Sequence, residues 1–147
     1  MTGRLEILFT NRQRREKLVA PRVLRRWVRA LPAVFEASLQ GAVLFELEAV
    51  EITLVSDRVI GKIHAQFFDD PSPTDVITFD HGEIILGAET IAANASEFGL
   101  TFEEEVVLCG IHGLLHLGGW EDEAEREAAE MARLQEAILV ETRHADS

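Results

Sequence analysis

At 147 residues, with 47% apolar and 27% charged positions, the chain is expected to fold as one globular domain that buries roughly two-thirds of its unfolded surface. One cysteine, Cys109, excludes an internal disulfide and fits a reducing compartment. Met1–Thr10 has no signal-type apolar core and no apolar run approaches the ~18 residues of a membrane span, so a cytoplasmic protein is expected. The net charge of −12 argues against polyanion binding by the surface as a whole.

The charge is segregated. Residues 1–40 carry +6 and the remainder −18. The basic groups there include Arg12, Arg14, Arg15, Arg22, Arg25, Arg26 and Arg29. They read either as the solvated face of a helix or as a contact face for phosphates.

In chain order, Arg4–Thr10 reads as a strand and Asn11–Lys17 as a basic loop. Pro21 suits the first turn of a helix, continued at helical spacing by Val23, Leu24, Trp27, Val28, Leu31 and Phe35. Pro32 predicts a kink or an early end. Leu44–Val55 alternates and is rich in β-branched residues, which predicts one long strand. Ser56 or Asp57 caps a helix running to Phe67, with Val59, Ile60, Ile63 and Phe67 facing inward. Two prolines place Asp69–Asp75 in a loop. Val76–Phe79, the turn Asp80–Gly82 and Glu83–Leu86 form a hairpin.

Ala88–Phe98 is helical and stopped by Gly99. Thr101 and Glu104 make a capping box that opens a helix from Phe102 to Leu117, ended by Gly118 and Gly119. A last helix from about Glu123 to Val140 is expected to bury Ala124, Ala128, Met131, Leu134 and Ile138. Its acidic first half, up to Glu130, reads as a solvated face. The tail, Glu141–Ser147, is expected to fray. The order β-α-β-α-β-β-α-α-α predicts a single α+β domain, a small mixed four-stranded sheet covered by about five helices.

The chemistry sits in Cys109–Asp122. The helix carrying it is apolar nearly all round, hence buried. His112 and His116, four apart, stack on one face and can converge on one cation. Gly113 is expected to keep the surface between them low. Gly119 permits a positive-φ reversal, and a third ligand six residues after the second histidine falls at Asp122. Three protein ligands leave a fourth position for solvent, as catalytic zinc sites do. Asp122 also suits the cap of the last helix, with Glu125 three residues on, and Glu121 or Glu123 are alternative ligands. Gly113 stands where a zinc protease helix carries its general-base glutamate, which leaves Glu121 as the nearest base. Cys109 reads as core. His64 at a helix end, His81 in a turn and His144 in the tail sit where histidine is more often solvated or capping than ligating.

The segment His112–Asp122 resembles the signature of the YbeY family of ribosomal-RNA maturation endoribonucleases, H-G-x-L-H-L-x-G-(aromatic)-D-H. It matches at His112, Gly113, Leu115, His116, Leu117, Gly119 and Trp120. Pro73–Phe79 (PTDVITF) is similar to the family's P-T-D-V-L-S-F, and Gly82-Glu83-Ile84 to its G-D-I. The third metal histidine is Asp122 here, the arginine of the preceding loop is Phe68, and the asparagine of the L-N pair is His64. The resemblance implies a metal-dependent endoribonuclease with one zinc ion on His112, His116 and Asp122. It implies single-stranded RNA as substrate, in ribosomal RNA processing and ribosome quality control, with the small ribosomal subunit as partner. It also brings the Asp75–His81 loop near the metal, which makes His81 a second catalytic candidate beside Glu121. Two other readings remain: a non-catalytic ribosome-associated factor with a structural metal, and a metallohydrolase with another substrate.

Overall fold

The computed structural model describes residues 5–143. Arg4 and His144 lie outside them. Strand β1 (Glu6–Asn11) is followed by α1 (Ala20–Ala37), β2 (Ala49–Val55), α2 (Asp57–Phe68), β3 (Val76–Phe79), β4 (Glu83–Gly87), α3 (Ala88–Phe98), α4 (Phe102–Leu117) and α5 (Glu125–Arg143). The α+β class, the mixed four-stranded sheet and the five helices are as expected.

The sheet order is β1-β2-β4-β3. β1, β2 and β4 run parallel, and β3 pairs antiparallel to β4 through the Asp80–Gly82 turn. β3 is therefore an edge strand. Strand alternation sends Val50, Ile52, Leu54, Ile84 and Leu86 to one face, where they join residues of α1, α4 and α5 in the main core. Ile77 and Ile85 point the other way and meet Ile60 of α2 in a second, smaller cluster.

Five local expectations need correction. Val43–Glu46 forms a 3-10 turn and the strand starts only at Ala49. The pairing partner explains this, because β1 begins at Glu6 opposite Ala49 and leaves the residues upstream no ladder to join. Pro32 does not end α1. It lies on the exposed face, and the buried stripe of Trp27, Leu31, Val34 and Phe35 carries the helix past it. In α2 the inward face is Ile60 and Gly61, while Val59 and Phe67 are 42% and 59% exposed. In α5 the buried positions are Met131, Ile138, Leu139 and Thr142. Ala124 precedes the helix and is exposed, and Ala128 and Leu134 are half-buried. The helix also continues to Arg143, so the first three residues of the tail expected to fray are helical, and the rest, 144–147, lies outside the described residues.

α4 is the central element. It packs on α1, α3, α5 and strands β3 and β4. Thr101 caps it by accepting from the Glu104 amide at 3.1 Å. Close approach to the sheet is possible because residue 113 has no side chain: a β-carbon there would fall 2.7 Å from Ile84 Cδ1. Gly113 thus serves packing against β4. A glutamate at that position would have no room.

Candidate metal centre

A cleft of about 590 Å³ opens between the edge strand β3 and the loop joining α4 to α5, with His112 and His116 in its lining. The two imidazoles leave the otherwise buried α4 with side chains 20% and 27% exposed. Their rings stand 4.5 Å apart and nearly perpendicular.

The third group arrives by the turn the glycines allow. Gly119 adopts φ +94°, a conformation that a β-carbon opposes. The reversed chain is held by Trp120, whose amide donates to the Leu115 carbonyl and whose indole donates to the Ala37 carbonyl at 2.8 Å. Asp122 then reaches back to the histidines, its Oδ2 3.4 Å from His112 Nε2 and 3.6 Å from His116 Nε2. α5 starts three residues later, at Glu125, so the position next to its first turn is Ala124 and not Asp122.

The hydrogen-bonding of the outer nitrogens tests whether this set fits a metal. His116 Nδ1 lies 2.9 Å from the Trp120 carbonyl oxygen, which can only accept. His112 Nδ1 lies 2.8 Å from Gln135 Oε1. Each Nδ1 therefore donates, and in the neutral rings each Nε2 presents a lone pair. The two Nε2 atoms are 2.9 Å apart. Two imidazole lone pairs and a carboxylate oxygen meet with no hydrogen to share, an arrangement relieved by a cation. Ligand atoms 2.0–2.1 Å from one ion at tetrahedral angles would stand about 3.3 Å apart; the three separations here bracket that value. Among the described residues, His112, His116 and Asp122 are the one group of three with converging ligand atoms.

Burial is the main cause holding His112 below the usual imidazole range, with His116 acting in the same direction. Gln135, Asp122 and Asp75 oppose it. The ring is thus kept neutral and available as a ligand. Cys109 is core, as expected: it is 4% exposed, and burial first, then Asp75 and Glu105, push its thiol well above the usual range.

Glu121 lies in the cleft lining beside Asp122. His81 stands in the β3–β4 turn with a side chain 69% exposed, its Nε2 3.1 Å from Glu83. It is not among the residues lining the cleft, whereas Asp80 is. His64 does line it, its Nδ1 facing the Ser72 carbonyl at 2.9 Å. The cleft is acidic: Asp75, Asp80, Glu121, Asp122 and Glu123 contribute, and no arginine or lysine among the described residues does.

The N-terminal arginines divide. Arg12, Arg14, Arg15, Arg22, Arg25 and Arg29 are exposed. Arg26 is 6% exposed, with its guanidinium donating to Thr142 Oγ1 at 3.1 Å and to the Leu139 carbonyl. It ties α1 to α5 and is removed from the expected contact face. Arg22 is held in the fork of Glu103 on α4, with one bond of 2.8 Å.

Sequence reasoning missed Gln135 and the Trp120 carbonyl. Gln135 had a signal, an amide interrupting the Met131–Leu134–Ile138 stripe of α5. A main-chain carbonyl carries none.

Fold and donor set together describe a single α+β domain with a candidate metal centre in an open cleft. The family model described as Endoribonuclease YbeY matches residues 8–143, and the chain belongs to that family. The protein named Endoribonuclease YbeY from Chloroherpeton thalassium is 35% identical over 120 residues, covering 76% of this chain and 83% of its own length. Its namesake from Thermotoga petrophila is 38% identical over 99 residues, covering 63% of this chain and 66% of its own. The solution structure of TM1509 from Thermotoga maritima superposes with a TM-score of 0.60 at 27% identity, covering 92% of this chain and 88% of that one.

Proposed function

We propose that the chain is a zinc-dependent endoribonuclease that hydrolyses phosphodiesters of single-stranded RNA during ribosomal RNA maturation and ribosome quality control in the cytoplasm. One ion is held by His112, His116 and Asp122. The observation that carries this reading is the meeting of three electron-pair donors in an open cleft, in a chain of the Endoribonuclease YbeY family. Zinc at such a site supplies Lewis acidity toward a phosphoryl oxygen and a water.

The chain's own residues do the rest. Gln135 and the Trp120 carbonyl fix the tautomer and direction of the two rings. Asp122 adds negative charge. Glu121 is the proposed general base, since it lies in the cleft next to a ligand. His81, engaged with Glu83, is the second candidate. Exposed Arg12, Arg14, Arg15, Arg25 and Arg29 offer phosphate contacts away from the acidic cleft, Arg22 being engaged by Glu103, and RNA binding should therefore weaken steeply with salt. The small ribosomal subunit is the proposed setting.

The test is incubation of the purified protein with unstructured RNA, with and without chelator, beside His116→Ala. Cleavage that needs both the metal and His116 is expected. Cleavage that survives in the variant would refute the assignment. A stably bound metal without cleavage would favour a ribosome-associated factor, a reading that the acidic, arginine-free cleft supports.

A further inference from the structure

One wall of the cleft is aromatic. Phe68, at the end of α2, stands 5.5 Å from His64 one turn before it and 6.3 Å from Phe79 on β3. Phe67 meets Phe79 edge-on at 5.1 Å. His81 lies flat against Phe79, 5.5 Å away with only 18° between the planes. The series begins inside the cleft, because His64 and Phe68 line it together with His112 and His116, and it runs outward to the β3–β4 turn.

Phe79 is half-buried against the small cluster under α2, but the two rings of α2 are not spent on the core. Phe67 and Phe68 are 59% and 52% exposed, and the small cluster under α2 is closed by Ile60, Ile77, Ile85 and Val55 without them. A contiguous exposed aromatic surface at the mouth of a polar cleft marks a binding surface more often than chance exposure does. Its chemistry points to one kind of occupant. The lining opposite holds Glu121, Asp122 and Glu123, which repel phosphate oxygens and any acidic partner. The wall itself carries no carboxylate among these five residues and presents aromatic rings. A strand whose scissile phosphate is drawn to the metal lowers its energy further by laying the flanking bases on the rings, with the phosphates on either side kept clear of Glu121 and Glu123.

We infer that Phe67, Phe68, Phe79, His64 and His81 form a stacking subsite for unpaired nucleobases next to the bond that is cut, an inference that rests on RNA being the substrate. Stacking is sequence-tolerant, since every base has a π face, and it selects single strands because paired bases are already stacked. The subsite thus makes single-strand preference a property of the wall and not of the metal.

The experiment uses the zinc-loaded full chain and a short single-stranded oligoribonucleotide carrying 2-aminopurine, followed by fluorescence. Binding by the wild type should quench the probe. Phe68→Leu should weaken binding about 5- to 100-fold and abolish the quench, the range expected for losing one stacked base. Phe68→Tyr should keep both. Phe98→Leu removes a ring 67% exposed on α3 and should change neither. An oligonucleotide with abasic sites should bind the wild type as weakly as the intact one binds Phe68→Leu, a comparison that needs no variant to fold. Equal affinity for abasic and intact RNA would overturn the subsite. So would unchanged binding in Phe68→Leu, leaving the wall as a docking site for another protein. Metal-dependent cleavage measured in parallel separates the two readings: cleavage with no effect of the wall sinks this inference alone, and neither binding nor cleavage of any RNA sinks both.

Discussion

Gln135 on α5 accepts a hydrogen bond from His112 Nδ1 on α4 at 2.8 Å, and so couples the helix that carries the ligands to the helix that follows the metal loop. The amide oxygen fixes which ring nitrogen is protonated. Removing such a partner of a metal-bound histidine typically costs 10–100-fold in metal affinity. Gln135→Ala should therefore lower zinc affinity by about that factor while leaving the circular dichroism spectrum unchanged. Competition with a chromophoric chelator checks it, and affinity equal to wild type would exclude the coupling.

As the proposed third ligand, Asp122 would supply a carboxylate where a third imidazole would be neutral. A carboxylate leaves less positive charge on the ion and makes water there harder to ionise. Asp122→His should keep the metal and move the acid limb of the pH–rate profile for RNA cleavage to lower pH. Superimposable profiles would contradict this.

Arg26 and Arg14 are both cationic residues of the basic N-terminal segment, yet they should respond differently. Arg26 is buried, with Thr142, Leu139 and Glu104 as partners. Arg26→Ala removes the tie between α1 and α5 and the packing of a buried side chain, although Thr142 Oγ1 still donates to the Leu139 carbonyl and Arg143 still holds Glu104. It should destabilise the fold by about 1–2 kcal/mol, with RNA affinity at low temperature nearly unchanged. Arg14 is exposed. Arg14→Ala should leave the melting temperature alone, weaken RNA binding and flatten its salt dependence, by about one unit of slope if Arg14 touches one phosphate. Denaturant melts and salt titrations on both variants distinguish the roles.

Glu105 is 5% exposed, and its Oε1 has no hydrogen-bond partner. Burial raises its carboxyl above the usual range; the hydrogen bond from Cys109 opposes it, and Asp75 adds to it. The folded state then holds the proton more tightly than the unfolded one. The stabilisation is complete below the unfolded value and is lost as pH rises through the folded one. Glu105→Gln should accordingly raise the melting temperature at pH 7.5 by about 2–4 °C, the effect of ~1 kcal/mol in a chain this size, and do little at pH 4. A loss of stability at pH 7.5 would show that the ionised carboxylate is compensated.

The secondary elements were legible wherever the signal was local. Thr101 and Gly99 mark helix ends through their own backbone and side-chain preferences, and the hairpin around Asp80–Gly82 follows from its turn residues. The misreadings all depended on a neighbour. Alternation continues through Leu44–Glu46 as it does through β2, yet only residues opposite β1 find a ladder. Val59 and Phe67 look like core until the size of the cluster beneath α2 is known.

Spacing alone determined that two imidazoles share a helix face and that a glycine reversal could return an acid to them, because 3.6 residues per turn and the left-handed freedom of Gly119 are properties of the chain itself. Only the tertiary structure decided which nitrogens face inward, since that depends on Gln135 and the Trp120 carbonyl arriving from other segments. It alone removed Arg26 from the surface, took His81 out of the cleft lining and assembled the aromatic wall from α2 and the β3–β4 hairpin. Hydrogen bonds and ring contacts between distant segments have no period along the chain; they exist only once the sheet and α4 have set the distances.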